Sequence, residues 1–335
     1  MTNWRIVEGD CRKALRSLDA GSVHTCVTSP PYFGLRNYGH AEQIGLEPTP
    51  DEFVAALGGV FRDVRRVLRD DGTLWLNLGD SYSASPPGAD SDKYRATLMA
   101  GHGTKRDTSK VGGGVKPKDL IGIPWLVAFA LRADGWYLRS EIIWHKPNPM
   151  PESVTDRPTK SHEQVFLLSK SPRYYYDAAA IREAQTPGSL ADHLRRQPSE
   201  RSNGAAPDRG SGDQGLRQNG VMTSGQRNRR SVWTVATHPY AGAHFATFPP
   251  KLIEPCILAG CPEGGTVLDP FAGAGTTGMV ALRHGRSFVG IELSAEYAQL
   301  ARDRIETDQR LGYRPPKRVA VDDAQASMFD ALDAA

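Results

Sequence analysis

At 335 residues, with four cysteines and a formal net charge of +3, the chain has the composition of an ordinary globular protein. No apolar run approaches the ~20 residues of a membrane span, and MTNWRIVEGD has neither the basic start nor the apolar stretch of a secretory signal, so a cytoplasmic protein with no membrane partner is expected. Cys11, Cys26, Cys256 and Cys261 lack a paired CxxC spacing, which suggests neither a disulfide framework nor a metal site, and so mild a charge permits a polyanionic partner without requiring one.

In chain order, short β-branched or apolar runs predict strands at RIVEGD, VHTCVTS, GTLWLNLG, YLRSEIIWHK, EQVFLLSK, TVLDPFA and SFVGIEL. Amphipathic runs predict helices over Pro50 to Leu68, Pro124 to Ala133, Leu252 to Ala259, Thr277 to His284 and Ala295 to Thr307. Their alternation is that of an α/β protein with a mostly parallel, doubly wound sheet of seven strands. Two stretches, Ser83 to Lys118 and Glu183 to Ser231, hold too little apolar surface for a core of their own and read as mobile insertions; the tail from 314 to 335 reads as loose. One domain is therefore expected, with halves at 1–182 and 233–313 and an interruption at 183–232.

Two stretches carry chemistry. The first is Ser29-Pro30-Pro31-Tyr32, directly behind a predicted strand. Two prolines extend neither a sheet nor a helix, so this is a rigid corner at a strand end, where open α/β sheets bind ligands. The second is TVLDPFAGAGTTGMVAL: a strand, then Gly273-Ala274-Gly275-Thr276-Thr277-Gly278, then a helix. Glycines there let a ligand approach the backbone, and the helix start supplies free N–H groups. Glu292 ends the following strand, placed to accept hydrogen bonds from a ribose diol. The spacing suits NAD as well as S-adenosylmethionine. Too little chain follows Glu292 to complete a dinucleotide-binding domain, which disfavours a nicotinamide-dependent oxidoreductase.

With SPPY first and Phe271-Ala272-Gly273-Ala274-Gly275 last, the sequence resembles the permuted β group of S-adenosylmethionine-dependent DNA amino-methyltransferases. In that family a (D/N/S)PP(Y/F) segment precedes the recognition region, and an FP element and FxGxG loop follow it. Further similarity lies in IVEGD, in NLGDSY, in Phe248-Pro249 and in KPNPMPESVTDRPTKSHEQVFLLSKS from Lys146. It covers most of the chain, omitting both insertions and the tail.

The resemblance implies a Rossmann-like methyltransferase fold and a cofactor site at Asp269, Phe271, Gly273, Gly275 and Thr276. Phe248 and Pro249 would lie alongside, Glu292 on the ribose, and Asp10 near the adenine amino group. Asp10 also suits a helix N-cap. The catalytic segment would be Ser29, Pro30, Pro31 and Tyr32. The Ser29 hydroxyl and Pro30 carbonyl can accept both hydrogens of a base amine, localising its lone pair for in-line attack on a sulfonium methyl. Tyr32 offers a stacking face to a base turned out of the duplex.

Serine in the first position is usual for enzymes acting on the cytosine amine, with the adenine amine as the alternative. Methylation at carbon-5 would need a cysteine nucleophile; Cys256 falls instead in a helical apolar pattern. Double-stranded DNA is the expected partner, contacted by Lys146 and by arginines of the recognition region, among them Arg195, Arg196, Arg217, Arg227, Arg229 and Arg230. A cognate restriction endonuclease, a monomeric or homodimeric state, and a DNA-binding protein without catalysis stay open.

Overall fold

The computed structural model describes residues 3–35, 40, 43–83, 115–116, 118–184, 226–237 and 248–312. Strand β1 (Trp4–Glu8) passes at Asp10 into α1 (Cys11–Arg16); the Asp10 carboxylate accepts the Arg12 N–H at 2.8 Å and caps the helix. There follow β2 (Val23–Thr28), α2 (Pro50–Val67), β3 (Leu68–Leu78), α3 (Ile123–Ala133), β4 (Tyr137–His145) and β5 (His162–Ser169). A two-residue ladder of β6 (Glu183–Ala184) with β7 (Gln226–Arg227) joins the chain on either side of 185–225, and β8 (Val232–Thr234) comes next. The C-terminal half is α4 (Pro250–Gly260), β9 (Thr266–Asp269), α5 (Thr276–Arg283), β10 (Ser287–Glu292) and α6 (Ala295–Leu311).

Local chemistry sets these elements. In α2, the Thr49 hydroxyl accepts the Glu52 N–H, Pro50 occupies the first turn, and Phe53, Leu57, Val60, Phe61 and Val64 form one buried stripe. In the strands, successive side chains face opposite layers. Thus Cys26, Leu74, Leu76 and Phe166 pack with α1, α2 and α3, whereas Val27, Trp75, Val165 and Val267 pack with α4, α5 and α6.

Among the described residues, eight strands form one sheet in the order β1-β10-β9-β2-β3-β5-β4-β8. Within it, only β5 is antiparallel to its neighbours. This corrects the count of seven: β8 is three residues long, too short to show a period, and it joins the edge by pairing with β4. Strand β3 also starts earlier than expected, at Leu68 opposite Val23, because a register shift before Thr25 and Thr73 absorbs the exposed Arg69-Asp70-Asp71 segment. Most of Ser83 to Lys118, most of Glu183 to Ser231 and all of 314–335 lie outside the described residues. No described helix is long and apolar enough to cross a membrane.

Candidate active site

The C-terminal ends of β1, β2, β3, β4, β9 and β10 meet at one sheet edge. The N-terminal end of β5 joins them because that strand runs backwards. Together they line a cleft of about 860 Å³, within the ~300–1,000 Å³ usual for small-molecule sites. From β9 the chain continues to one side, to β10, and from β2 to the other, to β3; the cleft opens at this switch point.

Ser29, Pro30, Pro31 and Tyr32 form one wall. The Tyr32 hydroxyl donates to Glu163 Oε2 at 2.6 Å, with Ser29 Oγ 3.5 Å behind it. Asn77 Nδ2 donates to the same Glu163 oxygen at 3.1 Å, and Lys146 Nζ pairs with Oε1 while lying 4.4 Å from the Trp144 ring centroid. One carboxylate thus gathers three donors under the tyrosine. Gly79 borders the other side of the ring: a β-carbon there would fall 2.5 Å from Tyr32 Cε2, so only glycine leaves the ring its place. Lys160 also faces the cleft, its ammonium pulled below the ordinary range by burial, against the opposing pull of Asp80 and Glu163.

Asp10, Phe248, Phe271, Gly273, Thr276 and Glu292 form the opposite wall. Glu292 accepts the Gly273 N–H at 2.8 Å and the Ser294 N–H at 3.0 Å, closing the loop onto β10. Burial raises its carboxyl, and those backbone donors oppose the rise. At Asp10, burial would raise the carboxyl, but the hydrogen bonds and charge of Arg12 outweigh it and hold it low.

Three residues expected at the cofactor lie just behind this wall. Asp269 is 1% exposed and takes part in no cleft surface. Its Oδ1 accepts Thr28 Oγ1–H at 2.6 Å and the Phe271 N–H at 3.1 Å, and its Oδ2 accepts Thr277 Oγ1–H at 2.6 Å. It therefore ties the end of β2, one residue before Ser29, to the glycine loop. Gly275, at φ +74°, lets that loop approach α6, since a β-carbon would sit 3.0 Å from Ala301 Cβ. Pro249 precedes α4 and is not a lining residue.

Lys146 lines the cleft, whereas Arg227 and Arg230 both pair with Glu183 and Arg229 stacks 4.7 Å over Trp233. Arg195, Arg196 and Arg217 lie outside the described residues. Cys256 packs inside α4, 1% exposed, and burial raises its thiol well above the ordinary value. Among the described residues no cluster of histidine, cysteine and carboxylate side chains could hold a metal.

Asn77, Gly79, Lys160 and Glu163 carry no individual signal of a site role in the sequence. Asn77 and Gly79 stood in NLGDSY, and Lys160 and Glu163 in TKSHEQ, both matched stretches, but nothing in either assigns a role to one side chain.

The second wall suits a nucleoside-bearing cofactor. Glu292 brings a carboxylate, an acceptor suited to a diol, to a cleft that Phe248 and Phe271 also line. A doubly wound sheet with such a crevice is the architecture of nucleoside-binding α/β proteins. Residues 23–303 match the DNA methylase family of N6/N4 methyltransferases, and the chain belongs to that family. The Type II methyltransferase M.Cfr9I of Citrobacter freundii is 49% identical over 303 residues, 90% of this chain and 87% of the relative. M.SmaI of Serratia marcescens is 46% identical over 90% of each chain. The fold is shared with the PvuII DNA methyltransferase (cytosine-N4-specific), with TM-score 0.59 and 17% identity over 99% of this chain and 93% of that one. It is shared too with TTHA0409 of Thermus thermophilus, solved in complex with S-adenosyl-L-methionine, with TM-score 0.54 and 24% identity over 91% and 95% of the two chains.

Proposed function

We propose that the protein transfers a methyl group from S-adenosylmethionine to the N4 amine of cytosine in duplex DNA, as a permuted, SPPY-type member of its family. The observation carrying this reading is the shared cleft, with Ser29 and Tyr32 on one wall and Phe271, Gly273 and Glu292 on the other. When bound, S-adenosylmethionine supplies an electrophilic sulfonium methyl.

The chain's own residues do the rest. Glu292 holds the ribose hydroxyls, Asp10 faces the adenine end, and Phe248 and Phe271 enclose the ring. Pro249, Asp269 and Gly275 shape that wall from behind, and Gly273 and Thr276 form its turn. Across the cleft, the Ser29 hydroxyl and Pro30 carbonyl accept the two amine hydrogens, their separation fixed by Pro31. Both bonds strengthen as positive charge develops on nitrogen, so they stabilise the transition state more than the ground state. Tyr32 stacks on the base, worth ~1–3 kcal/mol, and Glu163 fixes the ring's orientation through its hydroxyl. The base reaches this wall by leaving the duplex, at a cost of a few kcal/mol. Lys146 and the recognition-region arginines hold the phosphates.

Serine in the first position, usual for cytosine-amine enzymes in the family the sequence resembles, supports cytosine, and adenine N6 is the second reading. Kinship with Type II enzymes makes a cognate restriction endonuclease the expected companion in the cytoplasm. Mass spectrometry of nucleosides from DNA treated with the protein and labelled S-adenosylmethionine tests the target. Labelled N4-methylcytosine is expected; labelled N6-methyladenine alone would replace cytosine with adenine, and no label in any nucleoside would refute the proposal.

A further inference from the structure

Beyond β4 the chain reads Lys146-Pro147-Asn148-Pro149-Met150-Pro151, three prolines in six residues. Each proline fixes its own φ and restricts the residue before it, so Met150, between two of them, has little conformational freedom. The loop is also clamped. Asn148 Oδ1 accepts the Thr237 N–H at 3.0 Å and Asn148 Nδ2 donates to the Thr237 carbonyl at 3.2 Å. The segment carrying Thr237 is itself laced to β4, through β8 and through Trp144 Nε1–H to the Val235 carbonyl at 2.8 Å.

At the end of this stiff support Met150 is 86% exposed, the highest value among the exposed large apolar side chains of the described residues. It lines the same cleft as Ser29, Tyr32 and Glu163. An isolated exposed apolar residue is ordinary on a protein surface. One held out over the cleft by a proline-braced, doubly hydrogen-bonded loop is placed to meet something that enters there.

We infer that Met150 is a wedge that enters the duplex at the position vacated by the target base. The inference rests on the reading that the target leaves the stack. An extruded base opens a gap between two aromatic faces, and apolar side chains, methionine included, fill such steps in DNA. The polarizable thioether adapts to those faces. Because the loop is already ordered, insertion sacrifices little chain entropy. Leu35 also lines the cleft and is 45% exposed, but no proline flanks it as Pro149 and Pro151 flank Met150.

The test compares wild type, Met150→Ala and Met150→Leu in single-turnover methylation of a duplex carrying a site mapped by sequencing the protein's own methylated product. A second duplex has the target base mismatched, so that extrusion is already cheap. Met150→Ala is expected to lose roughly ten-fold or more on the paired duplex, to recover most of that loss on the mismatched one, and to be rescued by Met150→Leu. A paired-duplex rate for Met150→Ala equal to wild type, or a deficit of the same size on both duplexes, would overturn the wedge. Fluorescence of pyrrolocytosine at the target position, where it still pairs with guanine, separates the two levels. Brightening by wild type but less by Met150→Ala supports the wedge; equal brightening overturns it and leaves extrusion standing. No brightening by wild type overturns extrusion and the wedge with it.

Discussion

The Asp269 strut gives a pH signature that can be worked out in advance. Burial raises its carboxyl from 3.8 to about 6, even though Thr277, Thr28 and the Phe271 N–H all hydrogen-bond to the ionised form. At about 1.4 kcal/mol for each pH unit between those values, ionisation inside the fold costs about 3 kcal/mol. Because the folded value lies above the unfolded one, the folded state binds the proton more tightly. The resulting stability is fully present below 3.8 and is lost as pH rises through about 6. Asp269→Asn removes the charge and keeps the pattern, with Oδ1 accepting from Thr28 and Phe271 and Nδ2 donating to the Thr277 hydroxyl. By linkage, the stability of the Asn variant relative to wild type should rise by about 2 kcal/mol between about pH 4.5 and about pH 7.5. Urea denaturation of both proteins across that range measures the difference directly, and subtraction cancels every other carboxylate. A flat difference would show that Asp269 titrates normally and that the buried-strut account is wrong.

Three further outcomes follow from the site. Gly79→Ala should displace the Tyr32 ring and lower kcat, by on the order of 10²-fold for a shift near 1 Å, with calorimetric S-adenosylmethionine affinity unchanged; a normal kcat would mean the ring position is irrelevant. Glu163→Gln weakens charge-assisted hydrogen bonds worth about 1.5–3 kcal/mol, so kcat should fall roughly 10- to 100-fold while KM for S-adenosylmethionine stays put, and an effect on KM alone would move Glu163 to the cofactor side. Cys256→Ala should leave methylation intact when assayed with labelled cofactor; complete loss in a folded variant would restore the case for a cysteine nucleophile.

Much of this architecture is visible in the sequence because buried strands need β-branched or apolar runs and helices need their stripes: VHTCVTS and SFVGIEL fall on β2 and β10, and the predicted stripe of α2 is its buried face. The two walls of the cleft are visible too, since a proline corner and a glycine loop have few structural substitutes. What stays hidden depends on contacts between distant residues. Glu163 reads as the start of a strand, and only the reversed direction of β5 brings it beneath Tyr32. Asp269 reads as a cofactor acid, and its enclosure by Thr28 and Thr277, far apart in sequence, is not legible there. Arg227 and Arg230 read as phosphate ligands, and their shared pairing with a single glutamate, 44 and 47 positions away, is not legible in the sequence. Three residues of β8 are too few for any pattern, and their place is set by the partner strand.

The central claim, that two distant stretches of chain act on one reaction from opposite walls of a cleft, is tested most directly by pairing single-turnover methyl transfer with calorimetric S-adenosylmethionine binding for Ser29→Ala and Glu292→Ala. Ser29→Ala should slow transfer on the order of 10²-fold or more with cofactor binding intact. Glu292→Ala should weaken binding and regain transfer at saturating cofactor. Weakened binding in the serine variant, with transfer by the glutamate variant slow even at saturation, would contradict the account.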